Sequence, residues 1–555
     1  MTPAELQVAV GDLVRSAAAR RGADLTIPND QILLERPRSR EHGDWASTIA
    51  MRVAKQIGIP PRDLAQELAT DLGALPGVAA VDVAGPGFIN ITLEAASSGA
   101  LAARIVAVGV DYGRSDLLAG HSVDMEFVSA NPTGPLHLAH TRWAALGDAI
   151  SRVLRASGAE VVDEYYINDA GSQMDHFGES ILAAARGLPT PEGGYPGQYI
   201  SDLAAALVAE NPEWSELPEI AALGLAKDFG YARQLEEIRR SLEDFNVHFD
   251  VWFSERTLHD DSDGPSKIAI AVERLRAQGR VYESEGAIWL RTSEFGDDKD
   301  RVLVRSNGET TYFAADAAYY LDKRDRGYDE KVYLLGADHH GYIGRLKALA
   351  AAAGDDPDTV SVLIGQTVKV NGARLSKRAG NIVELVDLLE WLGVDSLRYW
   401  LARYPADTPL DLDGEQLKRR TNDNPVYYVQ YAHARTHSVA RKAAEADVNR
   451  EHHGRDAFDP ALLTHPTESD LLGELEQFPR TVERAAILRE PHRVARYLEQ
   501  LAGAYHRWYD SCRVIPVAGE PIEDVHRTRL VLNEAVGQVL RNGLDLLGVS
   551  APERM

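Results

Sequence analysis

A buried-strand signature, VDMEFVSAN (Val123–Asn131), stops at a Pro/Gly loop, PTGPLH, and the chain resumes with helical periodicity from about His137 to Ala156. A second strand-like run, EVVDEYYI (Glu160–Ile167), follows at once. KVYLLGAD (Lys331–Asp338) and VSVLIGQTVKV (Val360–Val370) repeat the pattern downstream. Strands alternating with helices predict a parallel, doubly wound sheet. Ligands of such open sheets bind beyond the carboxyl ends of the strands. The Pro/Gly loop after Asn131 is therefore where chemistry is expected.

The flanks read differently. Helix-period segments Pro3–Arg21 and Pro61–Leu75 bracket a loop at Glu35–Asp44, and Ala79–Leu93 alternates around a Gly-Pro-Gly turn as two strands. This is an α+β module. Beyond Pro405 the segments read as helical, Ala406–Asp413 as a linker, and no strand is expected after it. The acidic Pro/Gly-rich stretch Gly187–Gly197 reads as a surface loop leading into an insertion. At roughly 150 residues per domain, the 555 residues divide into an N-terminal α+β module (1–112), a central α/β Rossmann-like nucleotide-binding domain (113–405, insertion at about 180–295) and a C-terminal all-α domain (406–555).

Composition narrows the setting. No stretch approaches the ~18 uninterrupted apolar residues of a membrane span, and the N-terminus lacks the basic start and apolar centre of a signal peptide. The single cysteine, Cys512, excludes intrachain disulfides and cysteine-based zinc sites and suits a cytoplasmic protein. A net charge of -25 runs against the basic face expected of a nucleic-acid binder, although net charge describes the long-range field and not local patches.

Two motifs carry chemistry. In NPTGPLHLAH (Asn131–His140), His137 and His140 lie three apart at a helix start, which puts both imidazoles on one face beside the positive end of the helix dipole. That arrangement suits phosphate oxygens on which charge builds in a nucleotidyl transfer. A zinc pair is the bland alternative, but no third ligand of suitable spacing is near. ARLSKRAGN (Ala373–Asn381) is a basic, glycine-flanked loop in which Arg374, Lys377 and Arg378 can clamp a pyrophosphate leaving group, though such runs are often only solvated.

Together the two stretches resemble the signature motifs of class I aminoacyl-tRNA synthetases. His137-Leu138-Ala139-His140 stands where that class writes His-Ile-Gly-His, and Arg374-Leu375-Ser376-Lys377-Arg378 where it writes Lys-Met-Ser-Lys-Ser. Ala139 departs from the glycine that lets adenine approach the backbone, and Arg374 replaces a lysine. The flanking stretches EFVSANPTG (Glu126–Gly134), EYYINDAG (Glu164–Gly171), FDVWFSE (Phe249–Glu255), GADHHGY (Gly336–Tyr342), NPVYYVQYAHAR (Asn424–Arg435) and the terminal PERM (Pro552–Met555) resemble the arginyl-tRNA synthetase family, in its bacterial, actinobacterial form, over essentially the whole chain.

The resemblance implies ATP-dependent ligation of L-arginine to tRNA(Arg) through an adenylate, with Mg2+ accompanying ATP, no tightly bound protein metal, no membrane and a monomer. It also implies that tRNA must be present before arginine is activated. ATP falls to Gly134, His137, Ala139, His140, Asp338 and Lys377, with Arg374, Ser376 and Arg378 completing the catalytic loop. Asp316 and Tyr312 are implied to hold the guanidinium, with Glu255 a further carboxylate; Glu126, Ser129 and Asn131 take the backbone end of arginine. A guanidinium does want a planar, bidentate acidic partner.

For RNA, the N-terminal module is implied to contact the tRNA elbow, where Phe88 stacks on a base and Asn90 reads its edge; a core phenylalanine fits Phe88 equally well. The C-terminal domain is implied to bind the anticodon. Between Arg484 and Arg513 six arginines face three acids, and Val494, Leu498, Leu501, Tyr505 and Trp508 form an apolar stripe beside a basic face of Arg493, Arg496 and Arg507. A solvated surface produces the same stripe. A cysteine-type class I enzyme lacks the thiolates it needs here. A non-catalytic RNA-binding paralogue is the alternative of another class, against which both histidines and Lys377 stand.

Overall fold

The structure is a computed structural model and describes residues 3–37, 40–337, 341–371, 383–452 and 455–555. At its centre lie five parallel strands: β1 (Ser122–Glu126), β2 (Glu160–Ile167), β3 (Val251–Ser254), β4 (Glu330–Gly336) and β5 (Val360–Gly365). Their order is β5-β4-β1-β2-β3, the doubly wound arrangement with its switch point between β1 and β4. Helix α1 (Leu138–Ala156) joins β1 to β2; α2 (Tyr312–Asp325) precedes β4, and α3 (Tyr342–Ala352) follows it.

The sequence reading runs β1 too far. The strand stops at Glu126, because Val128 and Ser129 take positive φ values of 66° and 40° and turn the chain away. For a β-branched residue such as Val128 that conformation is strained, and strain of this kind gathers at functional sites. The run Val360–Val370 also divides. Its second part, Val368–Asn371, leaves the sheet and pairs in parallel with Leu410–Asp413. The segment read as a linker therefore carries a strand, and beyond it Glu451–His452 pairs antiparallel with Arg455–Asp456, so the expectation of no strand after the linker does not hold. Alternation was there to be seen: Leu410 and Leu412 are buried and Asp411 and Asp413 exposed.

The span read as one insertion contains β3, a strand of the central sheet, because its Val251–Ser254 pairs with Glu164–Ile167. The inserted material comes in two pieces. Helices Ser172–Ala185, Gln198–Glu210 and Glu219–Asp244 precede β3, with the exposed 187–197 loop leading into the second. After β3 comes a three-stranded antiparallel sheet of Val281–Ser284, Ala287–Leu290 and Arg301–Val304.

The N-terminal module is α+β. Helices Pro3–Ala19, Ile49–Ile57 and Pro61–Gly73 cover an antiparallel four-stranded sheet whose hairpin is Val78–Ala84 and Phe88–Leu93. The C-terminal domain is predominantly helical: α4 (Pro425–Glu445), α5 (Pro466–Leu488), α6 (His492–Ser511) and α7 (Asp524–Leu546). The stripe Val494, Leu498, Leu501, Tyr505 and Trp508 on α6 is buried, as its spacing requires.

One apolar core runs without a break from α1 (Ile150, Val153) through Tyr399 and Trp400 to α6 and α7 (Trp508, Val531). Two buried arginines stitch it. Arg142 on α1 donates to the carbonyls of Gln366 (2.8 Å), Thr367 (3.3 Å), Pro405 (3.0 Å) and Thr408 (2.8 Å). Arg398 donates to Phe245 (3.0 Å), Asn246 (3.0 Å) and Leu547 (3.0 Å) and pairs with Asp148 of α1. No described helix is long and apolar enough to cross a membrane.

Candidate active site

A cleft of about 840 Å³ opens at the switch point, lined by Glu126, Ser129, Asn131, His137, Ala139, His140 and Asp316 among others. Residues drawn from the ends of β1 and β4, the start of α1 and the first turns of α2 thus meet in one place. His137 immediately precedes α1 and His140 lies in its first turn; their rings stack with centroids 3.8 Å apart. The His137 backbone N–H donates to His140 Nδ1 at 3.4 Å, which leaves the proton of a neutral His140 on Nε2. Burial and the neighbouring imidazole press the His140 pKa down to about 3, and burial lowers that of His137. Both rings are therefore neutral hydrogen-bonding groups near pH 7 rather than fixed cations.

The opposite wall is acidic. Burial lifts Asp316 to a pKa of about 7; Arg345 and Tyr342 pull it down, while Glu255 and Glu126 push it up. Asp316 Oδ2 is buried without a hydrogen-bond partner among the described residues. An orphaned carboxylate oxygen in a cleft is costly unless a ligand donates to it. Glu255 accepts from Tyr166 and lies 3.5 Å from His259, behind the lining formed by Tyr166. Tyr312 is not brought to the cleft. It is the first residue of α2, after the Thr311 N-cap, and is 66% exposed.

Towards the floor, Glu126 accepts from the Ser129 hydroxyl at 3.2 Å and from Tyr319 at 2.8 Å, and meets Lys323 Nζ at 2.8 Å. The Asn131 amide donates to Gln173 at 2.6 Å. Sequence reasoning missed Tyr166, Gln173, Tyr319, Lys323 and Arg345. A signal existed for two of them: Tyr319 and Lys323 follow Asp316 by three and seven positions, one helix face, and a lysine on a buried stripe is unusual. Gly134 does not line the cleft; a Cβ there would lie 3.4 Å from the hydroxyl of Tyr199, which itself donates to Thr133.

Arg374, Ser376, Lys377, Arg378 and Asp338 lie outside the described residues. The segment just after the basic loop is held against the histidine motif, since Leu138 N–H donates to Val383 (3.2 Å) and Leu385 N–H to Leu136 (2.7 Å). Of the RNA candidates, Phe88 is 40% exposed at its hairpin, whereas Asn90 is 8% exposed, between Ala46 and Asp82 of neighbouring strands, and presents no free edge. Arg496 and Arg507 are exposed on α6, while Arg493 is paired with Glu490. A second basic surface, unforeseen from sequence, combines Lys418, Arg419, Arg420 and Arg554 around a cavity of about 890 Å³.

A doubly wound sheet with paired histidines opening the helix after its first strand defines the catalytic domain of a class I aminoacyl-tRNA synthetase. Residues 229–396 match the family model "tRNA synthetases class I (R), catalytic domain", residues 5–93 "Arginyl tRNA synthetase N terminal domain" and residues 429–555 "DALR anticodon binding domain". The arginine–tRNA ligases of Pseudarthrobacter chlorophenolicus and Renibacterium salmoninarum are 60% and 61% identical to the chain, each over 100% of both sequences. The Thermus thermophilus arginyl-tRNA synthetase structure superimposes with a TM-score of 0.75 at 23% identity, covering 99% of this chain and 100% of that one. The chain belongs to the arginyl-tRNA synthetase family.

Proposed function

We propose that the protein joins L-arginine to tRNA(Arg) at the expense of ATP. The arginine carboxylate attacks the α-phosphate of Mg-ATP, forming arginyl-adenylate and releasing pyrophosphate. A ribose hydroxyl at the tRNA 3′ end then attacks the adenylate carbonyl, forming the ester and releasing AMP. Positioning and electrostatics suffice, with no covalent enzyme intermediate.

In this reading His137 and His140, uncharged before substrate arrives, donate to phosphate oxygens as charge builds, beside the amino end of α1. Ala139 leaves room for the nucleotide, with Gly134 in the loop before it and Asp338 after β4. Arg374, Ser376, Lys377 and Arg378 meet the departing pyrophosphate. Asp316 takes the guanidinium, backed by Glu255; Glu126, Ser129 and Asn131 take the amine and carboxylate end. Phe88 contacts the tRNA elbow, and the faces of Arg496 and Arg507 and of Lys418–Arg420 contact the anticodon arm. The working division is the elbow domain (1–112), catalytic domain (113–405) and anticodon domain (406–555), in a cytoplasmic monomer.

The observation that carries this reading is the cleft itself, whose lining combines a stacked imidazole pair with a buried carboxyl that has one oxygen unpartnered among the described residues. Charging of total tRNA with each amino acid in turn tests it. Arginine alone should be incorporated, with AMP and pyrophosphate produced in step; preferred incorporation of another amino acid would overturn it.

A further inference from the structure

Beneath the cleft lies an ionic cluster that the reaction as described does not use. Lys323 is buried on α2, its Nζ 2.9 Å from Asp124, 2.8 Å from Glu126 and 3.8 Å from Glu164. The ammonium also lies 4.8 Å from the ring centroid of Tyr319 and 4.6 Å from that of Tyr333. Arg326 bonds Glu164 and approaches Asp124 at 3.5 Å, and the Tyr319 hydroxyl bridges Glu126 and Glu164.

The charges do not balance. Asp124, Glu126 and Glu164 contribute three negative charges, Lys323 and Arg326 two positive ones. Arg326 also meets Asp322 at 3.2 Å, but Lys267 offsets that carboxylate at 2.7 Å. Buried ions persist when paired, and an uncompensated buried charge is expensive. Asp124 Oδ2 is buried without a hydrogen-bond partner among the described residues, and the cluster meets the cleft through Glu126. Glu126 is the one carboxylate of the three that lines the cleft; Lys323 and Tyr319 occupy its Oε2, and its Oε1 takes the Ser129 hydroxyl.

We infer that Asp124 and Lys323 are positioning residues for the substrate amine: they fix Glu126 and leave the cluster one positive charge short, which the α-ammonium group of arginine supplies. The inference rests on the proposed assignment of Glu126 to the amine end of arginine. The electrostatics run the same way. Burial pushes Asp124 up to a pKa of about 6, against Lys323 and Arg326 and with Glu164. The other titratable groups around it are Glu126, Tyr319, Tyr328, Lys331 and Tyr333. As pH falls through that value Asp124 takes a proton, the surplus vanishes and the hold on an ammonium group weakens.

The test compares L-arginine with δ-guanidinovalerate, the same molecule without its α-amine, as substrate and competing inhibitor in the charging reaction of the full chain. Asp124→Asn keeps the shape and makes the cluster neutral. Its arginine KM should rise about tenfold while the inhibition constant of δ-guanidinovalerate stays within about twofold. Asp124→Glu, which keeps the negative charge, should leave the ratio of the two constants near its original value. A shift shared equally by both ligands, no shift at all in Asp124→Asn, or an equal shift in Asp124→Glu would overturn the inference. Glu126→Gln separates the two claims. If it leaves the ratio unchanged, the assignment of Glu126 falls and takes the inference with it. If it shifts the ratio while Asp124→Asn does not, only the cluster inference falls.

Discussion

Asp316 and His140 solve opposite electrostatic problems, and each makes its own prediction. The Asp316 carboxyl, raised to about 7 by burial, must be ionised to hold a guanidinium. Below that pH arginine has to displace a proton, so the arginine KM should climb about tenfold per pH unit as pH falls, and level off above it. Asp316→Asn should raise the KM and flatten this profile while the KM for ATP barely moves; an unchanged arginine profile would place the guanidinium elsewhere, with Glu255 next in line. Linkage adds a second readout. An acid whose folded pKa is raised favours the folded state at low pH, and this contribution is lost as pH rises through the folded value. Above about pH 7 the ligand-free Asp316→Asn protein should therefore melt at a higher temperature than the unmodified one, a stability–activity exchange. For His140, whose pKa is held near 3, the contribution is hydrogen bonding to charge that appears only during reaction. His140→Ala should cut the rate of adenylate formation by about a hundredfold or more with little change in arginine KM; a pure KM effect would remove it from the chemistry.

Elements were legible where one period dominated. The segments Glu160–Ile167 and His137–Ala156 were readable because a short β-branched and aromatic run and helical spacing each leave one solution, and α6 followed from its 4-3-4-3 stripe. The short LDLD strand at Leu410–Asp413 was missed because its partner lies some forty positions upstream. The strained end of β1 was invisible for a related reason, since nothing in a valine announces a positive φ. Among site residues, those inside recognisable motifs were found; Lys323 and Tyr319 were not, because their role depends on three carboxylates from two other strands. Packing between elements makes a sharp prediction. A Cβ on Gly365 at the end of β5 would fall 1.8 Å from the Trp143 ring, so Gly365→Ala must displace that ring from its seat between α1 and the sheet. A loss of about 1–3 kcal/mol on denaturant unfolding is expected, with a larger fall in activity than in stability because Trp143 lines the cleft. On α6, Arg496→Glu and Arg507→Glu should weaken tRNA binding and reduce its salt dependence by about one unit of slope per phosphate lost. Arg493→Glu should do less, since Glu490 already engages that side chain.

At the scale of the molecule, a single core joins the catalytic sheet to the helical domain, so the two should melt in one transition; two well-separated calorimetric peaks would contradict this. Activation should depend on RNA as well. Arginine-dependent ATP–pyrophosphate exchange is expected to be near zero alone and to appear with cognate tRNA, through a population shift driven by differential binding. Strong exchange without RNA would defeat the coupling and leave the ligase assignment standing. Arg142 shows how such a dependence can be built from a few bonds. Its guanidinium grips the strand end at Gln366 and Thr367 and the chain at Pro405 and Thr408 on its way into the helical domain, all from the helix whose first turn carries His140. One side chain thus ties the entrance of the helical domain to the helix that opens with the histidines, and Arg142→Met, which cuts all four bonds, is expected to loosen the dependence of exchange on tRNA more than it lowers arginine binding.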